Sequence, residues 1–133
     1  MKHNRSELRE LVMVALYQIV IYKKNNISYQ VEDVIKENFE VDNDFAKDFI
    51  LGVLDREEEL DQLANQYLVG WTVDRLGTTD QVILRMGIYE LLYTDTPDLV
   101  CINEAIELAR KYSDDDVRKM INGVLDKVYH SKE

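Results

Sequence analysis

The chain of 133 residues is poor in the residues that interrupt regular structure. It contains a single proline, Pro97, and five glycines. Sheet proteins of this size need more turn-forming residues, so the composition favours helices. The length suits one domain with a continuous core, and the hydrophobic content of 46% is typical of a globular chain rather than a disordered one.

Cysteine is just as scarce, since Cys101 stands alone and forms no internal disulfide. Its place in the apolar run LVCI predicts a small core residue, and a reducing compartment fits a lone thiol. The start of the chain lacks the apolar segment of a signal peptide, and no apolar run reaches the roughly 18–20 residues of a membrane span. We therefore expect a soluble, cytoplasmic protein.

The signatures of catalysis are missing as well. His3 and His130 lie near opposite termini, and no HExxH, CxxC, GxSxG or P-loop pattern occurs. The run Asp114-Asp115-Asp116 lacks the ligand spacing of a calcium loop and is typical of a helix N-terminus. These absences predict no enzymatic activity and no metal site.

The charge is strongly acidic but unevenly placed. The net charge of −10 argues against broad, non-specific binding of nucleic acid. Residues 1–30, however, hold five basic and two acidic side chains, whereas residues 31–100 hold five basic and seventeen acidic ones. The middle of the chain is therefore an acidic block suited to a basic partner, and the start offers a mildly basic surface.

Hydrophobic periodicity predicts six helices, at about residues 5–24, 29–39, 42–68, 80–94, 98–112 and 114–130. The third allows a bend or break near Asp55. The fourth is apolar on most of its circumference and is expected to be the central buried helix. The fold class is therefore all-α, in one domain over residues 1–133 with helical halves of about 1–68 and 78–133.

A near-repeat supports the division into two halves, because ILGVLD at residues 50–55 is nearly repeated as INGVLD at residues 121–126. Each copy follows a long helix and a short one, which predicts two similar three-helix units packed together. Gly52 and Gly123 are expected to let another helix approach closely. Chance similarity over six residues remains an alternative. The two copies differ only where Leu51 of the first corresponds to Asn122 of the second. If one copy is adapted for binding, we expect it to be the second, which carries Asn122.

RNA binding requires basic groups for phosphates and exposed rings for unpaired bases. Arg5 and Arg9 lie at i and i+4 on one helix face, and Arg118 and Lys119 open the final helix. Rings are available at Tyr17, Tyr67 and Tyr112. Ordinary surface charges and tyrosines at the edge of the core explain the same residues equally well, so the pattern alone leaves both interpretations open.

Longer motifs resemble one family. VCINEAIELARKY followed by MINGVLDKV closely resembles the NusB transcription antitermination factors, as do DRLGTTDQVILRMGIYELLY and ALYQ. The resemblance spans nearly the whole chain. It implies two packed three-helix bundles, no catalysis and no cofactor. It also implies a partnership with the ribosomal protein NusE, binding of single-stranded boxA RNA from ribosomal RNA operons, and a role in the antitermination complex of RNA polymerase.

The resemblance also implies site residues. Arg5 and Arg9 match part of the family's arginine-rich opening, and Asp80 falls in the region that faces the ribosomal protein. The other positions that the resemblance implies near RNA are Tyr17, Tyr67, Tyr112, Asp116, Lys119 and Met120. Met120 stands where the family commonly has Phe. The near-repeat adds Asn122 to this set.

Two departures weaken the expected RNA site, because Ser6 and Glu7 stand where further basic residues are usual. Fewer neutralised phosphates mean weaker binding, and added salt weakens the remaining contacts. We therefore expect the lone protein to bind RNA weakly and a basic partner to strengthen binding. The alternative is a helical protein-interaction module whose RNA binding is weak or lost.

Overall fold

A computed structural model describes residues 3–132. Within this range the chain is all-helical, as the sequence predicted, with six α-helices, one 3-10 helix at Val73–Arg75 and no strand. The helices are α1 Arg5–Lys24, α2 Val31–Asn38, α3 Asp44–Tyr67, α4 Thr78–Tyr93, α5 Asp98–Tyr112 and α6 Asp115–Ser131. α3 continues unbroken through Asp55, so the chain does not break there.

The chain divides into two compact units, the first ending at Gly52 and the second beginning at Val53. The boundary lies inside α3 and inside the first copy of the near-repeat. The first unit therefore holds α1, α2 and the opening of α3, and the second holds the rest. An internal duplication stays a prediction.

In the first unit, α1 begins with a reciprocal cap. The Asn4 side chain accepts a hydrogen bond from the Glu7 backbone N–H at 2.8 Å, and the Glu7 carboxylate accepts one from the Asn4 N–H at 3.2 Å. Such a capping box satisfies N–H groups that the first turn leaves without partners. The buried face of α1 consists of Leu8, Arg9, Val12, Met13, Ala15, Leu16 and Ile19. The short α2 packs against α1, and the Asn38 amide donates to Gln18 Oε1 at 2.9 Å.

In the second unit, α4 is buried on most of its surface, as its composition predicted, and it packs against α5 and α6. Gly87 makes this packing close, since a Cβ placed there would lie 2.9 Å from Leu125 Cδ2 and 3.2 Å from Ala105 Cβ. The expectation that Gly123 admits another helix was wrong. Nothing lies within 4 Å of a Cβ built at Gly123, because it faces outward on α6.

A partly buried charge cluster ties α4 to α3 within the second unit. Arg85 Nε donates to Asp61 Oδ1 at 2.7 Å and Arg85 Nη2 donates to Asp61 Oδ2 at 2.9 Å, while Glu57 lies 3.4 Å away. Burial by itself lowers the pKa of Arg85. The hydrogen bonds and charge of Asp61, with the charge of Glu57, outweigh that effect and raise the pKa. The guanidinium therefore stays charged and holds the two helices in register.

Cys101 is buried on α5, as predicted from the apolar run around it. Its Sγ donates a weak hydrogen bond to the Thr96 carbonyl at 3.6 Å. The thiol therefore serves packing at the α4–α5 connection.

Candidate nucleic-acid interface

The start of α1 places two arginines around one ring. The Arg5 guanidinium carbon lies 3.9 Å from the centroid of Phe45, and that of Arg9 lies 5.3 Å from it. Both distances are within the range of cation–π attraction. Arg5 is exposed, whereas only 4% of Arg9 is exposed. The two arginines that the sequence pairs on one face therefore differ in access, and Arg5 is the one that solvent and a phosphate reach.

Glu7 keeps a negative charge beside this basic start. The pKa of its carboxyl is lowered, first by the hydrogen bond from the Asn4 backbone N–H and then by the side chain of His3. His3 Nδ1 lies 3.5 Å from Glu7 Oε2. Glu7 therefore has a local structural task in the cap, and it is ionised at neutral pH near the group that would meet a phosphate.

An open cleft of ≈ 530 Å³ adjoins Arg5. Its wall is formed by the first residues of α1 and by the connection from α2 to α3, namely His3, Arg5, Leu8 and residues 39–43. The connection contributes the carboxylates of Glu40 and Asp42, so the cleft is of mixed charge around the one arginine.

Tyr17 lies on the exposed side of α1 with 40% of its surface accessible. A rise of twelve residues separates it from Arg5, which corresponds to about 18 Å along the helix axis. The ring is accessible enough to stack on an unpaired base, so the first unit offers an exposed cation and an exposed ring on one helix.

The second unit contains the remaining predicted RNA-facing residues. Tyr67 ends α3 and is half-buried, and Tyr112 ends α5 with 43% of its surface exposed. The Lys111 ammonium nitrogen lies 5.4 Å from the Tyr112 centroid. Tyr112 therefore combines an accessible ring with a nearby cation, which is a favourable arrangement for stacking a base.

The start of α6 carries a polar surface that continues from Tyr112. Asp114 caps the helix through a 2.8 Å hydrogen bond from the Val117 N–H, and Asp115 and Asp116 occupy the first turn, as predicted. Lys119 and Asn122 are exposed and Met120 is half-buried. Asp116, Lys119 and Met120 lie one turn apart on adjacent positions of the helix surface.

Arg118 belongs to the same turn of α6. Its Nη2 lies 3.5 Å from Asp115 Oδ1, while its buried Nε has no hydrogen-bond partner. An unsatisfied buried donor is costly. Arg118 is thus oriented by Asp115, and its Nε–H is a donor without an acceptor.

Asp80 lies on the first turn of α4, half-buried, and accepts a hydrogen bond from the hydroxyl of Ser113. Ser113 directly follows Tyr112, so the residue expected to face the ribosomal protein is bonded to the segment expected to face RNA. This places Asp80, Tyr112 and the start of α6 together in the second unit.

Sequence reasoning missed Phe45 and the cleft beside Arg5. Neither has a local signal, because the ring is brought to the arginines by packing of α3 in the first unit. Between residues 3 and 132, no group of three His, Cys, Asp or Glu side chains gathers where it could hold a metal ion. No helix in that range has the length and apolar character that crossing a bilayer requires.

Comparisons with known proteins confirm the resemblance drawn from the motifs. Residues 6–130 match the model of the NusB family. The transcription antitermination protein NusB of Pediococcus pentosaceus is 42% identical over 135 residues, which cover 96% of this chain and 98% of that protein. This coverage extends well beyond the quoted motifs.

Solved structures agree with the sequence relatives. T. maritima NusB superposes with a TM-score of 0.83 at 32% identity, covering 98% of this chain and 93% of that one. A crystal structure of the antitermination factors NusB and NusE in complex with dsRNA shares the fold, with a TM-score of 0.79, 24% identity and 96% coverage of each chain. The chain therefore belongs to the NusB family, a family of transcription antitermination proteins rather than of enzymes.

Proposed function

We propose that the chain acts in antitermination by binding single-stranded boxA-type RNA of ribosomal RNA operon transcripts together with the ribosomal protein NusE. The observation that carries this proposal is the exposed guanidinium of Arg5. It is held over Phe45 at the start of α1 in a chain of net charge −10. Tyr17 on the same helix adds an accessible ring. A cation and a ring on one rigid element suit a phosphate and an unpaired base.

Residues of the second unit support the same function. Tyr112 with Lys111, and Lys119 on α6, supply a second ring and further cations. The RNA in the fold-related crystal structure is double-stranded and belongs to that complex. Single-stranded RNA is the better ligand for this chain, because rings stack on bases that are not already paired.

NusE is the proposed partner because the middle of the chain is acidic and the resemblance to the family implies that Asp80, within it, faces the ribosomal protein. Residues 31–100 hold seventeen acidic and five basic side chains, and Asp80 lies among them. A basic ribosomal protein would be attracted to this block and would add positive charge toward the RNA. We propose that this assembly acts with RNA polymerase in the cytoplasm.

The decisive variant is Arg5→Ala in the presence of NusE. Loss of one charged phosphate contact is expected to weaken boxA-type RNA binding roughly tenfold. It should also make the slope of log affinity against log salt shallower by about 0.7, the value for one contact on a single strand. Fluorescence anisotropy of labelled RNA at several salt concentrations measures both quantities.

Lys36→Ala is the matched control, because Lys36 is an exposed cation on α2 of the same unit. It should leave both affinity and slope unchanged. If Arg5→Ala behaves like Lys36→Ala while NusE still binds, the alternative gains support, namely a helical protein-interaction module with weak or lost RNA binding.

A further inference from the structure

The connection between α3 and the 3-10 helix exposes an unusual amount of apolar surface. Val69 is 81% exposed and Trp71 is 40% exposed. Indole is among the largest apolar side chains, and its burial is strongly favourable. A tryptophan left this accessible on a short connection is available for a ligand.

The connection is held in one conformation by local bonds. The Val73 N–H donates to Asn65 Oδ1 of α3 at 2.8 Å, and the Thr72 hydroxyl donates to Asp74. Gly70 turns the chain with a φ of +75°, a value that side-chain-bearing residues rarely adopt. Because the backbone is already ordered, a ligand that stacks on Trp71 meets a preorganised ring.

A cation is stacked on this ring. The Arg75 guanidinium carbon lies 4.8 Å from the Trp71 centroid, and Arg75 Nη1 donates to the Gly70 carbonyl at 3.4 Å. Among residues 3–132, no carboxylate oxygen lies within 4.0 Å of the Arg75 nitrogens. Arg75 thus presents a positive charge that no carboxylate contacts directly, next to an accessible ring.

The same unit contains a second arginine–aromatic pair, and it differs from Trp71 and Arg75 in that a carboxylate pairs with its arginine. Arg56 lies 4.0 Å from the centroid of Tyr93, which is 37% exposed. Arg56 also pairs with the carboxylate of Glu59 at 3.8 Å. Its charge is therefore locally neutralised, and this pair is a poor receptor for a phosphate.

We propose that Trp71 and Arg75 form a further contact for single-stranded RNA, in which a base stacks on the indole and Arg75 binds an adjacent phosphate. The inference rests on the proposed function. The site lies four residues beyond Tyr67, so the two Cα atoms are at most about 14 Å apart. One strand can therefore use both rings. The combination of a flat ring and a guanidinium without a carboxylate partner favours a nucleotide over an apolar peptide.

The test uses Trp71 as its own reporter, because it is the only tryptophan in the chain. The full chain carrying 5-fluorotryptophan, in complex with NusE, is titrated with labelled boxA-type RNA. Fluorine NMR follows Trp71, and fluorescence anisotropy follows RNA binding in the same samples. The fluorine resonance is expected to shift and to saturate together with the anisotropy.

Variants measure how much the contact contributes. Trp71→Ala should weaken RNA binding roughly 5- to 150-fold, which is the range for one stacked base. Trp71→Phe keeps a ring and should stay within about 3-fold of the parent protein. Tyr93→Ala is the matched control and should leave RNA affinity unchanged. Thermal unfolding of each variant separates a lost contact from a lost fold.

The outcomes separate this inference from the proposed function. Rising anisotropy with an unmoved fluorine resonance overturns the Trp71 contact and leaves RNA binding in place. No rise in anisotropy overturns both. A resonance that shifts fully on addition of NusE alone, with no further change on addition of RNA, makes Trp71 a protein contact and also overturns the inference.

Discussion

At the scale of single residues, Arg5 and Arg9 show how one sequence pattern yields two roles. Their i, i+4 spacing places both toward Phe45, yet Arg5 opens the helix and is exposed while Arg9 lies one turn further into the unit and is buried. A buried arginine packs through its aliphatic stem as well as through its charge. Arg9 is therefore expected to contribute to stability, and Arg5 is the residue that we propose for binding.

Arg9→Ala is accordingly expected to lower the free energy of unfolding by about 2–3 kcal/mol, because it removes a buried side chain and its attraction to the ring. Arg5→Ala should cost no more than about 1 kcal/mol, the worth of an exposed cation–π contact. Urea unfolding followed by circular dichroism compares the two. Equal losses would contradict the division of roles.

At the scale of helices, the close approach in the second unit occurs at a glycine that the near-repeat did not mark. INGVLD drew attention to Gly123, but Gly123 faces outward. Val124 and Leu125 of the same hexapeptide are buried, and Leu125 packs onto Gly87 of α4. The hexapeptide thus supplies the apolar side chains of the contact, and α4 supplies the glycine.

Gly87→Ala and Gly123→Ala form a matched pair that tests this packing. Alanine at Gly87 meets both methyl groups of Leu125 and the Cβ of Ala105, so overpacking of about 1–3 kcal/mol should outweigh a gain in helix propensity of about 1 kcal/mol. Alanine at Gly123 has open space and should stabilise the protein by about 0.5–1 kcal/mol. Thermal unfolding measures both changes, and opposite signs are expected. A stabilised Gly87→Ala protein would show that α4, α5 and α6 pack more loosely than described.

The helices themselves were largely predictable from the sequence, because their signals are local. The predicted limits of α1 and α5 match the structure, and the acidic run at Asp114-Asp115-Asp116 begins α6 as expected. The burial of Arg9 and the contact at Gly87 were not predictable. Each depends on a residue from another helix, Phe45 or Leu125, that periodicity within one helix does not reveal. Trp71 gave no signal either, since its exposure follows from the fold.

At the scale of the whole molecule, the charge distribution predicts a lower RNA affinity for the lone chain than for the chain with a basic partner. The chain carries −10 overall, and the basic opening is interrupted by Glu7, whose lowered pKa keeps it ionised. RNA affinity is low, and depends only weakly on salt, when few phosphates are neutralised. A basic protein docked on the acidic block would offset the repulsion and supply further phosphate contacts.

The most direct test is the affinity of boxA-type RNA for the chain with and without NusE, measured at two salt concentrations. We expect weak binding by the lone chain, tighter binding with NusE, and a steeper salt dependence for the complex because more phosphates are contacted. RNA binding by the lone chain as tight as that by the complex would contradict this account, and so would a complex with NusE that binds no RNA.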